Sequence, residues 1–113
     1  MTEREEKRYR ALHRALWKWM SKHPSADKKD WPGWENRDEI HTRAWNRNYC
    51  FACVFDDLLR GCCDKCPIVE KARMCSREGS LYKKFLCCED KEQRAALCLQ
   101  MAEAWPPVGE NHN

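Results

Sequence analysis

Tyr9, Leu12, Leu16, Trp19 and Met20 recur at intervals of three and four, the spacing that lays apolar side chains along one face of an α-helix. The pattern predicts a long amphipathic helix over residues 2–22. Lys7, Arg10, Arg14 and Lys18 share that spacing and fall on the opposite face. Thr2 is the expected N-cap, and Glu3, Glu5 and Glu6 suit the positive end of the helix dipole. His23-Pro24 ends the helix, because proline disfavours a helical residue before it.

Later elements are shorter. Trp31-Pro32-Gly33-Trp34 carries turn chemistry, with the two indoles expected to clamp the loop onto the core. Asn36, with Glu39 three residues on, reads as the capping box of a helix over 36–46 that turns Ile40, Ala44 and Trp45 inward. CFACVF could form a short strand leading into a metal knuckle. Ser80 caps a helix over 80–88 with Leu81, Tyr82, Phe85 and Leu86 on one face. Asp90 and Gln93 open the last helix, 91–105, whose inner side carries Leu97, Cys98, Met101, Ala102 and Trp105. Pro106-Pro107 stops it, leaving a polar tail expected to fray. The expected fold is mainly α, with about four helices in one small domain spanning residues 1–113 and a zinc knuckle within it.

Composition sharpens this picture. A chain of 113 residues suits one domain. Its mean hydropathy of -0.92 is low, yet its six tryptophans argue against disorder, since disordered chains are poor in aromatics. No apolar run is long enough to span a bilayer, and the charged N-terminus lacks the apolar core of a secretory signal. These features point to the cytoplasm of a cell, where thiols stay reduced. Net charge is +3. Residues 1–48 hold 12 Lys and Arg against 8 Asp and Glu, a mild excess that permits an anionic partner without demanding one.

Candidate chemistry concentrates between Cys50 and Cys75, a region holding six of the nine cysteines. An odd number of cysteines is not what a fully paired secreted scaffold carries. Cys50 with Cys53, and Cys63 with Cys66, form two C-x2-C pairs nine residues apart. Each pair can offer two thiolates from a tight turn, and two turns close a tetrahedral shell around Zn2+. Cys62 could replace Cys63, and Cys75 could join or replace a ligand. His41 could complete a site of three cysteines and one histidine. An iron–sulfur cluster is the rival, encouraged by Cys66-Pro67 but lacking the short spacings of bacterial ferredoxins. Catalytic thiol chemistry is a further alternative. Cys87, Cys88 and Cys98 lie on predicted helices and read as small core hydrophobes.

LWKWMSKHP, then KKDWPGWEN, then CFAC and CDKCP resemble a group of small cysteine-rich proteins encoded by bacteriophages and prophages. In that group a Trp-rich amphipathic N-terminus and a D-W-P-x-W element precede CFAC and a C-x2-C-P pair. The likeness covers roughly residues 12–75, a span with several separate motifs. The doubled Cys62-Cys63 and the Cys87-Cys88 pair depart from it and leave the exact ligand set open. The resemblance implies a phage origin, a bacterial host cytoplasm and a metal site, and it carries no assigned activity.

Three functional expectations follow. The first is a zinc-stabilised, non-enzymatic protein that docks on a host or phage macromolecule, as inhibitors of bacterial defence systems do. Arg10, Arg14, Trp17 and Lys18 are its candidate partner-binding residues, since interfaces favour exposed Arg and aromatic groups. The second is nucleic-acid binding through the basic side of the first helix. Asp56, Asp57 and Asp64 in the cysteine region count against it, as does the lack of a two-Cys, two-His finger or helix-turn-helix signature. Catalysis is the weakest expectation. Asp56 and Asp57 would point about 100° apart on a helix, His13, His23, His41 and His112 are not at ligand spacing with one another, and no phosphate loop or nucleophile elbow occurs.

Overall fold

A computed structural model describes residues 3–59, 61, 66–68 and 79–105. Five α-helices occupy these residues: α1 (Glu3–Lys22), α2 (Glu39–Asn46), α3 (Phe51–Leu58), α4 (Leu81–Cys87) and α5 (Lys91–Glu103). Two short 3-10 turns, Lys28–Asp30 and Pro32–Glu35, bridge α1 to α2. No strand occurs among the described residues. The mainly α expectation is met, and the expected N-cap Thr2 lies outside the described residues.

Helix α1 is the spine. It packs along α5 and against α3, while α4 leans on α5 and α2 on α3. Because two helices cover it, its buried arc is wider than one apolar stripe and takes in Tyr9, Arg10, His13, Leu16, Trp17 and Met20. The α1–α5 pair runs antiparallel and is pinned by polar bonds. The buried His13 donates from Nε2 to the Met101 carbonyl at 2.8 Å. Arg14 reaches the Ala102 and Trp105 carbonyls at 3.3 and 3.1 Å, where a cation complements the negative end of α5. At the other end Arg94 donates to the Pro24 and Phe85 carbonyls at 2.6 and 3.0 Å. Its guanidinium sits 3.9 Å from the Phe85 ring centre, a cation–π geometry.

The capping residues set the helix starts. Ser80 Oγ accepts the Lys83 N–H, and an Asp90 carboxylate oxygen accepts the Gln93 N–H, as their spacing predicts. Helix α2 begins later than expected. Asn36 accepts the Asp38 N–H in a turn, and Asp38 then takes the cap by accepting the His41 N–H at 2.9 Å. Arg8 of α1 pairs with the same carboxylate. Burial raises the Asp38 carboxyl, but the His41 backbone N–H, the His41 ring and Arg8 outweigh this and hold it below the usual range. The CFACVF stretch is a correction of kind: it is the helix α3, not a strand. Cys50 caps it, and its apolar run buries Phe51, Ala52, Val54 and Phe55, which suits a short core helix as well as a strand.

The indole clamp is as expected. Trp34 stacks on Phe51 with centroids 5.2 Å apart, and Trp31 meets both edge-on. A Cβ on Gly33 would run into the Trp31 ring, so this close approach requires glycine. Two inward expectations fail at helix ends: Trp45 is 42% exposed and Leu86 54%. Each lies in the last turn of its helix, Trp45 laid edge-on to Trp34 and Tyr49 with part of its ring in solvent.

Burial holds the His13 pKa down to about 4 against the Met101 hydrogen bond, with Arg14 and Lys28 adding repulsion. The unfolded chain therefore binds a proton that the folded chain refuses between its ordinary 6.5 and about 4. Stability should be full above pH 6.5 and fall as pH drops towards 4, with a slope approaching about 1.4 kcal/mol per pH unit. Asp38 contributes only at lower pH, because its depressed carboxyl keeps its stabilisation above the ordinary 3.8. Urea titrations between pH 7.5 and 5 (about the range where histidine titrates) should show the slope in the native chain and lose it in His13→Gln.

Candidate metal centre and interaction surface

The cysteine pair is built by a sharp reversal between α2 and α3. Arg47 closes α2 by donating its N–H to the Ala44 carbonyl. Asn48 and Tyr49 then both take left-handed backbone, φ 58° and 57°. Asparagine tolerates that region and tyrosine rarely visits it. Tyr49 is held there by its ring, edge-on to Trp45 at 4.9 Å and tilted against Trp34 at 6.0 Å. Lys28 Nζ donates to the Asn48 carbonyl at 2.8 Å. The reversal delivers Cys50 as the N-cap of α3, with its sulfur accepting the Cys53 N–H at 3.2 Å.

The sulfurs of Cys50 and Cys53 are joined as a disulfide, their Cα atoms 5.2 Å apart. The thiolate pair expected for a metal is the reduced counterpart of this arrangement. Both cysteines line a cavity of about 50 Å³ with His13, Trp17, Lys28 and Ile68. Ile68 is fully buried there, so the segment carrying Cys66 runs beside the pair. Two residues span at most about 7 Å of chain, and Cys66 is half-buried against the same core. The fourth expected ligand, Cys63, and its alternatives Cys62 and Cys75 lie outside the described residues. Among the described residues no three metal-ligating side chains gather at one point.

The donor chemistry nonetheless fits a soft cation. Two sulfurs stand together at the head of α3, with a backbone N–H directed at one of them, and sulfur donors of this kind suit a soft cation once reduced. Reduced Cys50 and Cys53, with Cys63 and Cys66, are the residues that would hold zinc. The ion would supply a closed-shell cross-link and no redox chemistry.

His41 does not line the cavity that holds these sulfurs. It is buried among Trp31, Trp34 and Phe51, and its Nδ1 donates to Asp38 at 2.6 Å. His13, not His41, is the imidazole that shares the cavity with the cysteines. Its place was legible in the helix spacing, four residues after Tyr9 and three before Leu16. Asp56 is buried, whereas Asp57 is exposed and pairs with Arg47 at 2.8 Å, so the two carboxylates diverge. Cys98 is a buried core thiol that desolvation pushes up to about 11. Cys87 is exposed and Cys88 half-buried, unlike the core hydrophobes expected.

The expected partner-binding face is largely inside the molecule. Trp17 is 4% exposed and meets Phe85 edge-on at 5.1 Å. Arg10 is 5% exposed, and its Nη1 has no hydrogen-bond partner among the described residues. Arg14 is spent on the end of α5, and only Lys18 stays exposed. The reason is tertiary: Phe85 and Tyr82 of α4 cover Trp17, and the end of α5 takes Arg14, on the side that spacing alone assigns to solvent. Exposed apolar groups lie elsewhere. Leu58 and Leu59 are exposed at the end of α3, and Leu58 lines a cleft of about 310 Å³ with Arg43, Arg47, Val54 and Asp57.

No family model, curated protein or solved structure matches this chain.

The left-handed backbone at Asn48 predicts a pair of opposite outcomes. Asn48→Val should destabilise by about 1–2 kcal/mol, because a branched side chain clashes there. Asn48→Gly should be neutral or gain a few tenths of that, roughly 0.5 kcal/mol. Urea melts of the two variants check this, since neither change touches the carbonyl that Lys28 holds.

Proposed function

We propose that this protein is a zinc-stabilised, non-enzymatic binding protein of phage type that docks on a host or phage protein. The observation that carries the reading is the build of α3. One eight-residue helix bears the cysteine pair at its start and an exposed Leu58-Leu59 step at its end. A metal gripping the start would stiffen the element that presents the docking end. Arg43 and Arg47 border the adjoining cleft, and arginine beside apolar groups is what interfaces favour. Inhibition of a bacterial defence system is one role such a surface would serve.

Basic residues of α1 support nucleic-acid binding less well, since Arg10 is buried and Arg14 is committed to α5. Asp38 and Asp90 are taken up in helix caps and Asp57 in an ion pair with Arg47, which favours binding over catalysis. No helix among the described residues is long and apolar enough to cross a membrane.

Zinc coupling is worth roughly 10–16 kcal/mol in zinc-finger peptides, as large as the whole stability of a typical domain at about 5–15 kcal/mol. Elemental analysis of the reduced protein should therefore find one zinc per chain, and a strong chelator should collapse its thermal transition. Iron with visible absorbance would replace zinc by a cluster, and an unchanged melt after stripping would remove the metal from the account. For docking, the metal-loaded chain should retain a bacterial protein from host lysate at moderate salt, and Leu58→Asp with Leu59→Asp should lose it at unchanged melting temperature. Recovery of nucleic acid alone, lost as salt rises, would transfer the reading to the second class.

A further inference from the structure

We propose that Cys50 and Cys53 form a reversible dithiol–disulfide couple that exchanges with small disulfides of the glutathione type. Four observations lead there. The Cα separation of 5.2 Å lies inside the range that a disulfide spans, so the backbone as it stands accommodates the bond. Both cysteines are half-buried and line the small cavity between α1, α3 and α4. The Cys50 sulfur accepts the Cys53 N–H at the head of α3, and Lys28 lines the same cavity, so a donor and a cation stand beside the sulfur taken as the attacking one. Lastly, the link joins residues three apart in sequence. So short a loop removes little freedom from the unfolded chain, and stapling the fold is a poor account of the bond.

The exchange balances as follows. The Cys50 thiolate attacks one sulfur of the disulfide RSSR, expelling RS⁻ and leaving Cys50 in a mixed disulfide. Cys53 gives up its proton, and its thiolate attacks the Cys50 sulfur. That step expels the second RS⁻ and closes the Cys50–Cys53 bond. Two electrons pass from the protein to RSSR, which departs as two thiols once protonated. Reduced glutathione runs the sequence backwards. The couple stands without any metal. Only its consequence, that closure withdraws two sulfurs from a bound zinc and releases it, rests on the function proposed above.

The sequence supplies a clean assay. Cleavage after Arg47 and Arg60 releases a peptide, residues 48–60, holding Cys50 and Cys53 and no other cysteine. The full chain is equilibrated in glutathione buffers of increasing oxidation, quenched in acid, alkylated and digested. The peptide should pass from doubly alkylated to unalkylated in one two-electron step and return when the buffer is reversed. Cys53→Ser should trap glutathione on Cys50, and Cys50→Ser should trap markedly less on Cys53. A peptide that stays doubly alkylated throughout, or that oxidises only by cross-linking to other cysteines, overturns the couple. Equal trapping in both variants overturns Cys50 as the attacking sulfur. A chromophoric chelator follows zinc in parallel, with one ion expected per closed pair. Protein that carries no zinc but cycles the peptide defeats the metal reading and leaves the couple standing. Zinc that stays bound while the pair closes defeats the release step.

Discussion

The antiparallel seam between α1 and α5 is the constraint on which the other elements rest. Apolar faces alone would let two helices slide along each other, because dispersion is indifferent to register. Here one buried imidazole donates to one carbonyl, His13 to Met101, and that bond is satisfied in a single axial position. Arg14 at the end of α5 and Arg94 at the end of α1 hold the same register from opposite extremes. With the seam set, Trp17 finds Phe85 and Tyr82 on α4, and Tyr9 finds Phe55 on α3. The arrangement also carries a cost. Arg10 is drawn under cover with one nitrogen that has no hydrogen-bond partner among the described residues, which ordinary cores avoid.

The aromatic cluster passes this order on to the chemistry. Trp34 stacks on Phe51, the first residue of α3, and donates its indole N–H to the Lys28 carbonyl at 2.8 Å. Lys28 in turn holds the Asn48 carbonyl and lies 4.5 Å from the Tyr82 ring centre. One continuous set of contacts thus joins the α1–α2 connection, the cysteine reversal and α4. The sulfurs are positioned by packed rings and a single ammonium group, and the local sequence Cys-Phe-Ala-Cys supplies only their spacing.

Much of the architecture was legible because it rests on local rules. Ser80 and Asp90 cap where their spacing says, and Cys98, Met101, Ala102 and Trp105 face inward as their period demands. What escaped depended on partners distant in sequence. Trp17 is covered by Phe85 and Tyr82 of α4, and Arg14 is taken up by carbonyls at the end of α5; both partners are distant in sequence, and a basic stripe reads as solvated until they are known. Asp38 displaced Asn36 as a cap because it alone also meets Arg8 and the His41 ring. CFACVF is apolar on too many sides for period to choose between strand and helix, and the cap at Cys50 decides it. The candidate ligands were legible by spacing alone. That spacing identified Cys50 and Cys53 as neighbours but not the cavity and the imidazole beside them.

Two consecutive residues of left-handed twist make the junction after α2 a fixed stride. Side chains there can be exchanged at modest cost, but the number of residues cannot. One residue more or fewer would advance the start of α3 by about 100° of helical phase, swinging both sulfurs off the cavity and Phe51 out of the indoles. Engineers seeking a place for an epitope or a fused module should leave this joint alone.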